Sequence, residues 1–181
     1  IILHGLLGLS DNWVSIANNL EQYYDFILPD ARNHGLSFHS DTFNYYAMTD
    51  DLLSLIEDNN IINPIIIGHS MGGKTAMLFA TEYPQLVSKL IVVDIANKRY
   101  DHSIKDIVNT IMKIDLNKIQ NRSEVETLLT PNIKVRQLLL KNIYLDDTNR
   151  YRWKINIKAI TDNYYSIIDP VTLTKQYTGD T

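Results

Sequence analysis

The sequence predicts an α/β fold: a mostly parallel sheet flanked by helices, with a helical cap inserted late in the chain. Three observations carry that prediction. Residues 1–96 alternate short apolar, β-branched runs with helical patterns. The texture changes near Asn97, after which strand-like runs largely stop. The apolar run at 65–67 also breaks into a serine set among glycines, as a sharp strand-to-helix turn demands.

Taken in order, residues 1–3 read as the end of a buried strand, and a helix follows over about 12–20. Residues 24–28 form the next strand, stopped by Pro29. Met48, Leu52, Leu55 and Ile56 recur at helical spacing within 44–60. Residues 64–67 form a third strand, 71–83 a helix ended by Pro84, and 87–94 a fourth strand. Beyond Asn97, stretches 104–114, 124–129 and 134–144 read as short amphipathic helices. Residues 151–155 read as a brief extended piece, and 156–168 as helical again. There is no internal repeat and no low-complexity linker. The expected organisation is therefore a core over 1–96, a helical cap over 97–168 and a return toward the core over 169–181. The chain opens inside a strand without an initiator Met and stops soon after Asp169–Pro170. With only four strands, it is expected to be truncated at both ends.

Composition narrows the function classes. An apolar fraction of 45% and a charged fraction of 21% belong to a globular chain rather than a disordered one. No run approaches the roughly 18–20 apolar residues of a membrane span. With no cysteine, disulfides and thiolate metal sites are excluded, which fits a cytoplasmic location. A net charge of −4 argues against a nucleic-acid partner. The charge is divided unevenly: residues 1–96 hold 3 Lys/Arg against 11 Asp/Glu, and residues 97–168 hold 13 against 8.

Gly68-His69-Ser70-Met71-Gly72 matches G-x-S-x-G between a strand and a helix, the context of a nucleophile elbow. Gly68 and Gly72 are expected to permit the sharp turn, and Gly73 the close packing of the new helix. Ser70 then stands near a helix N-terminus, where the dipole favours developing negative charge. A serine needs an oxyanion hole and a base. His4-Gly5-Leu6-Leu7-Gly8 follows the opening strand, where Gly5 lets a main-chain N–H face the site. The second donor is the N–H of Met71, the residue after the nucleophile. Asp94 ends a strand at the sheet's carboxyl edge, where open α/β folds keep their ligands. Asp30 also ends a strand and is read as a loop organiser with Arg32 and His34. Lys74 is expected on the helix surface.

HGLLG (4–8) followed by Asp11-Asn12-Trp13, DARNHGLS (30–37), GHSMGGK (68–74) and KLIVVDIA (89–96) together resemble the α/β-hydrolase superfamily. Within it, the chain is similar to the YbfF-type bacterial esterases. Over the cap, the likeness lies in length and in RYRWKIN (150–156). The resemblance implies Ser70 as nucleophile, Leu6 and Met71 as oxyanion donors, and Asp94 as triad acid. It also implies an acyl-enzyme route for carboxylic esters or thioesters of small molecules, with neither metal nor organic cofactor.

The departure from the pattern is the histidine, which should follow the acid in the chain. His102 lies only eight residues after Asp94, too near the start of the cap. His4, His34, His39 and His69 are expected to be structural. The base is therefore expected beyond Thr181. A C–C bond hydrolase and a noncatalytic ligand-binding protein are the competing readings. Leu139, Ile143 and Trp153 are candidate lining of an acyl pocket, and the cap's positive balance suggests anionic acyl substrates.

Overall fold

The computed structural model describes residues 1–100 and 103–181. Three parallel strands form the sheet in the order β1 (Ile2–Leu3), β2 (Ile65–His69), β3 (Lys89–Val93). The register pairs Ile2 with Ile67, and Ile65 through His69 with Lys89 through Val93. β2 is apolar along nearly its whole length because both of its faces are covered. The expected strand at 24–28 is not one. A single bond, Ile2 N–H to the Ile27 carbonyl at 3.0 Å, ties that stretch to the sheet. β1 has only two residues, so its outer edge offers too few rungs for a ladder.

Helices cover the sheet. α1 spans Val14–Leu20 after a 3-10 turn at Ser10–Asn12. α2 (Tyr45–Asp58) starts where the Asn44 side chain accepts from the Ala47 N–H at 2.9 Å, satisfying one orphan donor. Its buried stripe, Tyr45, Met48, Leu52 and Ile56, follows the helical period. α3 (Met71–Glu82) buries most of its length and stops before Pro84, which disfavours helix in the residue ahead of it.

The second half of the chain holds α4 (Ser103–Met112), α5 (Arg122–Leu128), α6 (Ile133–Lys141), α7 (Ile157–Asp162) and α8 (Tyr164–Ile168). Asn121, Asn132 and Asn156 cap α5, α6 and α7 with their side-chain oxygens. The helix expected over 134–144 ends at Lys141. Residues Ile143–Leu145 instead form β4, antiparallel to β5 (Tyr151–Trp153). The turn between them explains the switch. Asp146 accepts from the Thr148 and Arg150 N–H groups, and Asn149 takes φ 57°. His102, the histidine expected at the entrance to this half, lies outside the described residues.

The helices of the second half share an apolar cluster with the first. Val125, Leu139 and Ile160 pack into the same body as Leu7, Phe43, Met71 and Leu78. A separate cluster around Ile66, Ala76, Phe79 and Leu90 packs α3 against the sheet.

Candidate active site

Ser70 leaves β2 and starts α3 with φ 52° and ψ −116°, a conformation a residue with a Cβ adopts only under constraint. The constraint is visible in the glycines. A Cβ on Gly68 would lie 2.3 Å from the Gly72 carbonyl oxygen, so strand and helix meet backbone to backbone. Gly72 answers a different need from the one expected of it: its own Cβ would lie 2.4 Å from the Leu3 carbonyl oxygen, at the end of β1. The Ser70 N–H donates to the Val93 carbonyl at 3.2 Å. The β2–β3 register therefore carries on to set Asp94 opposite Ser70.

The loop at 4–8 passes close above the serine. A Cβ on Gly5 would stand 3.1 Å from the Ser70 Cβ and 2.9 Å from His69 Nδ1, so only glycine admits this approach. Two buried histidines hold the loop. The Ala31 N–H donates to His4 Nε2 at 2.9 Å, and the Leu7 N–H to His34 Nε2 at 3.1 Å. With Nε2 accepting, each ring carries its proton on Nδ1, donating to the Gly5 carbonyl from His4 and to the Arg32 carbonyl from His34. Both rings are thus neutral ties. Burial lowers the pKa of His4, and burial with the neighbouring His4 drives that of His34 to about 3.

The other predicted histidines lie elsewhere. His69 packs edge-on against Trp13, ring centroids 6.1 Å apart, and His39 Nε2 lies 3.3 Å from the Lys154 carbonyl. Asp30 does organise loops, but through the N–H groups of Ser10 (2.7 Å) and Leu36 (2.9 Å). Burial pushes its carboxyl pKa up, but these bonds outweigh burial and leave the pKa lowered. Arg32 pairs instead with Asp51.

A cavity of about 250 Å³ joins the parts. Its wall holds Ser70, Leu6, Met71 and Asp94, together with Tyr45, Lys74, Ile95, Tyr100, Ile167 and Ile168. Met71 opens α3, so its N–H has no carbonyl four residues back within the helix. Among the described residues no histidine lines this wall. Leu139 and Ile143 sit inside the apolar cluster and Trp153 packs against it, none of them on the cavity wall. A second cavity of about 300 Å³ opens between α2 and the 29–38 loop. It contains neither Ser70 nor Asp94.

Lys74 departs from expectation most. It is 1% exposed, not a surface residue. Its ammonium donates to the carbonyls of Ile168 (3.1 Å) and Asp169 (2.8 Å) and lies over the rings of Tyr45 and Tyr100, 5.7 and 5.5 Å from their centroids. Desolvation lowers its pKa, and the Asp169 charge opposes that shift. The Tyr45 hydroxyl donates to the Ile167 carbonyl at 2.7 Å. Three successive carbonyls at the end of α8 are thus held by side chains of α2 and α3, with the Tyr100 N–H also donating to that of Ile168 at 3.1 Å. No local motif signals this, because the side-chain partners are 94 to 122 residues apart.

Comparison with known proteins follows the same lines. A family model described as alpha/beta hydrolase fold matches residues 1–126. The zebrafish (Danio rerio) sn-1-specific diacylglycerol lipase ABHD11 is 35% identical over all of this chain, which spans 60% of that protein. Esterase YbfF of Escherichia coli K12 is 31% identical over 93% of the chain, which spans 65% of that protein. Among solved structures, a marine microorganism esterase superposes with a TM-score of 0.95 at 43% identity, covering 98% of this chain and 72% of its own. E-2-(acetamidomethylene)succinate hydrolase shares the fold at a TM-score of 0.78 and 19% identity. The chain spans about 60% of the length of the curated relatives it matches.

Proposed function

This chain belongs to the α/β-hydrolase fold family, and on that premise we propose that it is the greater part of a serine hydrolase acting on carboxylic esters or thioesters. The observation that carries the reading is the strained Ser70 in one cavity with Leu6, Met71 and Asp94. Relatives named as esterases and a lipase support it.

In this mechanism the Ser70 hydroxyl oxygen attacks the acyl carbon while a histidine takes its proton. The carbonyl oxygen, now negative, is held by the N–H groups of Leu6 and Met71. The histidine returns the proton to the departing alkoxide or thiolate. Water, deprotonated by the same base, then releases the acid and restores the serine. Asp94 orients that base, which we place beyond residue 181 in the intact protein. Support comes from the cavity wall, which has an acid and a nucleophile but no imidazole among the described residues.

The test is labelling of the intact protein with a fluorophosphonate, with Ser70→Ala as the control. Labelling that needs Ser70, with hydrolysis of p-nitrophenyl esters, supports the reading. A protein that folds but shows no Ser70-dependent labelling overturns it.

A further inference from the structure

We infer that Asn142, deep in the helical half of the chain, is a positioning residue for the oxyanion hole. This rests on the serine-hydrolase reading and names what holds one of its two donors in place.

The argument begins at Leu7. It takes φ 62°, a left-handed conformation costly for a branched side chain, which persists only where its surroundings dictate it. Both of its polar groups are fixed from outside. Its N–H is taken by His34 Nε2 at 3.1 Å, and its carbonyl accepts from Asn142 Nδ2 at 2.8 Å, across 135 residues of sequence. The preceding residue, Leu6, lies on the cavity wall beside Ser70. The Leu7 carbonyl shares a peptide plane with the Gly8 N–H, which donates to the Gly5 carbonyl at 2.9 Å. That carbonyl in turn shares a plane with the Leu6 N–H, so the aim of the Leu6 N–H depends on where Asn142 holds the Leu7–Gly8 peptide.

Asn142 is itself rigidly placed. It is fully buried, follows the last turn of α6, and its carbonyl accepts from the Lys154 N–H at 2.7 Å beside the β4–β5 hairpin. Its amide also donates to the Leu138 carbonyl at 3.1 Å. Both groups facing that nitrogen are carbonyl oxygens, so the amide must present its NH₂ there. The consequence appears on the other side: Asn142 Oδ1 is buried without a partner among the described residues. The fold accepts an unsatisfied acceptor in order to aim two donors, one at its own helix and one at the loop above Ser70. The geometry of the helical half is thereby imposed on the catalytic loop.

Two variants separate this role from simple capping of α6. Asn142→Leu removes both bonds. Asn142→Ser leaves a hydroxyl able to bond the carbonyl four residues back, yet too short to reach Leu7. Val125→Ala, in α5 within the same apolar cluster and with no hydrogen bond to give up from its side chain, controls for lost stability. In the intact protein, each is assayed for fluorophosphonate labelling rate, for kcat and KM on a p-nitrophenyl ester, and for thermal midpoint. The expected result is a fall of roughly 10-fold to 100-fold in labelling rate and kcat for Asn142→Ser, with KM changed less than about twofold. Val125→Ala should keep both rates at comparable or greater destabilisation. Asn142→Ser that labels and turns over at the parental rate overturns the inference and leaves the hydrolase reading standing. A parent protein without Ser70-dependent labelling overturns both.

Discussion

The two neutral histidines under the loop at 4–8 make a pH-dependent weakness that can be measured. His34 is fully buried, and its Nε2 accepts from the Leu7 N–H. Protonating that nitrogen would set a donor against a donor, on a ring buried away from solvent. Its pKa is about 3 in the folded protein against 6.5 in the unfolded chain. Between those values the unfolded chain binds a proton that the folded one refuses. The stability owed to the neutral ring is therefore complete above about pH 6.5 and is lost as pH falls toward 3. Each pH unit is worth about 1.4 kcal/mol, so acidification to about pH 4.5 should remove about 3 kcal/mol through this one residue. The perturbation is His34→Gln, which keeps an acceptor for Leu7 and abolishes the titration. The assay is urea denaturation of both proteins at about pH 7 and pH 4.5. The variant should start less stable but lose about 3 kcal/mol less on acidification. Parallel losses in the two proteins would refute the reasoning.

Other expectations concern the site. Asp94→Asn should leave thermal stability within about 0.5 kcal/mol, because Asn also tolerates the positive φ of 53° at this position. It should lower kcat by about 10³-fold or more by misorienting the base, and an unaltered kcat removes Asp94 from the mechanism. Gly68→Ala should cost about 3 kcal/mol or more, since the backbone of residues 72–73 blocks the new methyl. A thermal midpoint equal to the parent's would contradict that packing. Lys74→Met should cost about 2 kcal/mol by leaving the Asp169 carbonyl without its donor and the Ile168 carbonyl with only the Tyr100 N–H, and a variant as stable as the parent would count against these bonds.

Whatever obeys a local rule was legible in the order of residues alone. The buried runs of β2 and β3, the stripe of α2, the stop before Pro84 and the glycines around Ser70 each follow from neighbours a few residues apart. Even the facing of Ser70 and Asp94 is nearly local, since adjacent parallel strands carry a constant offset once paired. Where the local rule misled, a neighbour outvoted it. The apolar run at 24–28 had too short a partner to become a strand, and residues 143–145 left their helix for a hairpin partner.

How polar groups are satisfied had to wait for the folded chain. Lys74 reads as a surface residue until the end of α8 offers it two carbonyls and Tyr45 and Tyr100 offer their aromatic faces. His4 and His34 read as structural, but which backbone N–H groups they would tie, those of Ala31 and Leu7, had no signal in the chain. Asn142 falls within the helix expected over 134–144, yet it follows the end of α6 and its amide meets Leu7. A buried donor or acceptor takes whichever partner the fold brings within about 3 Å, and that choice has no period along the chain.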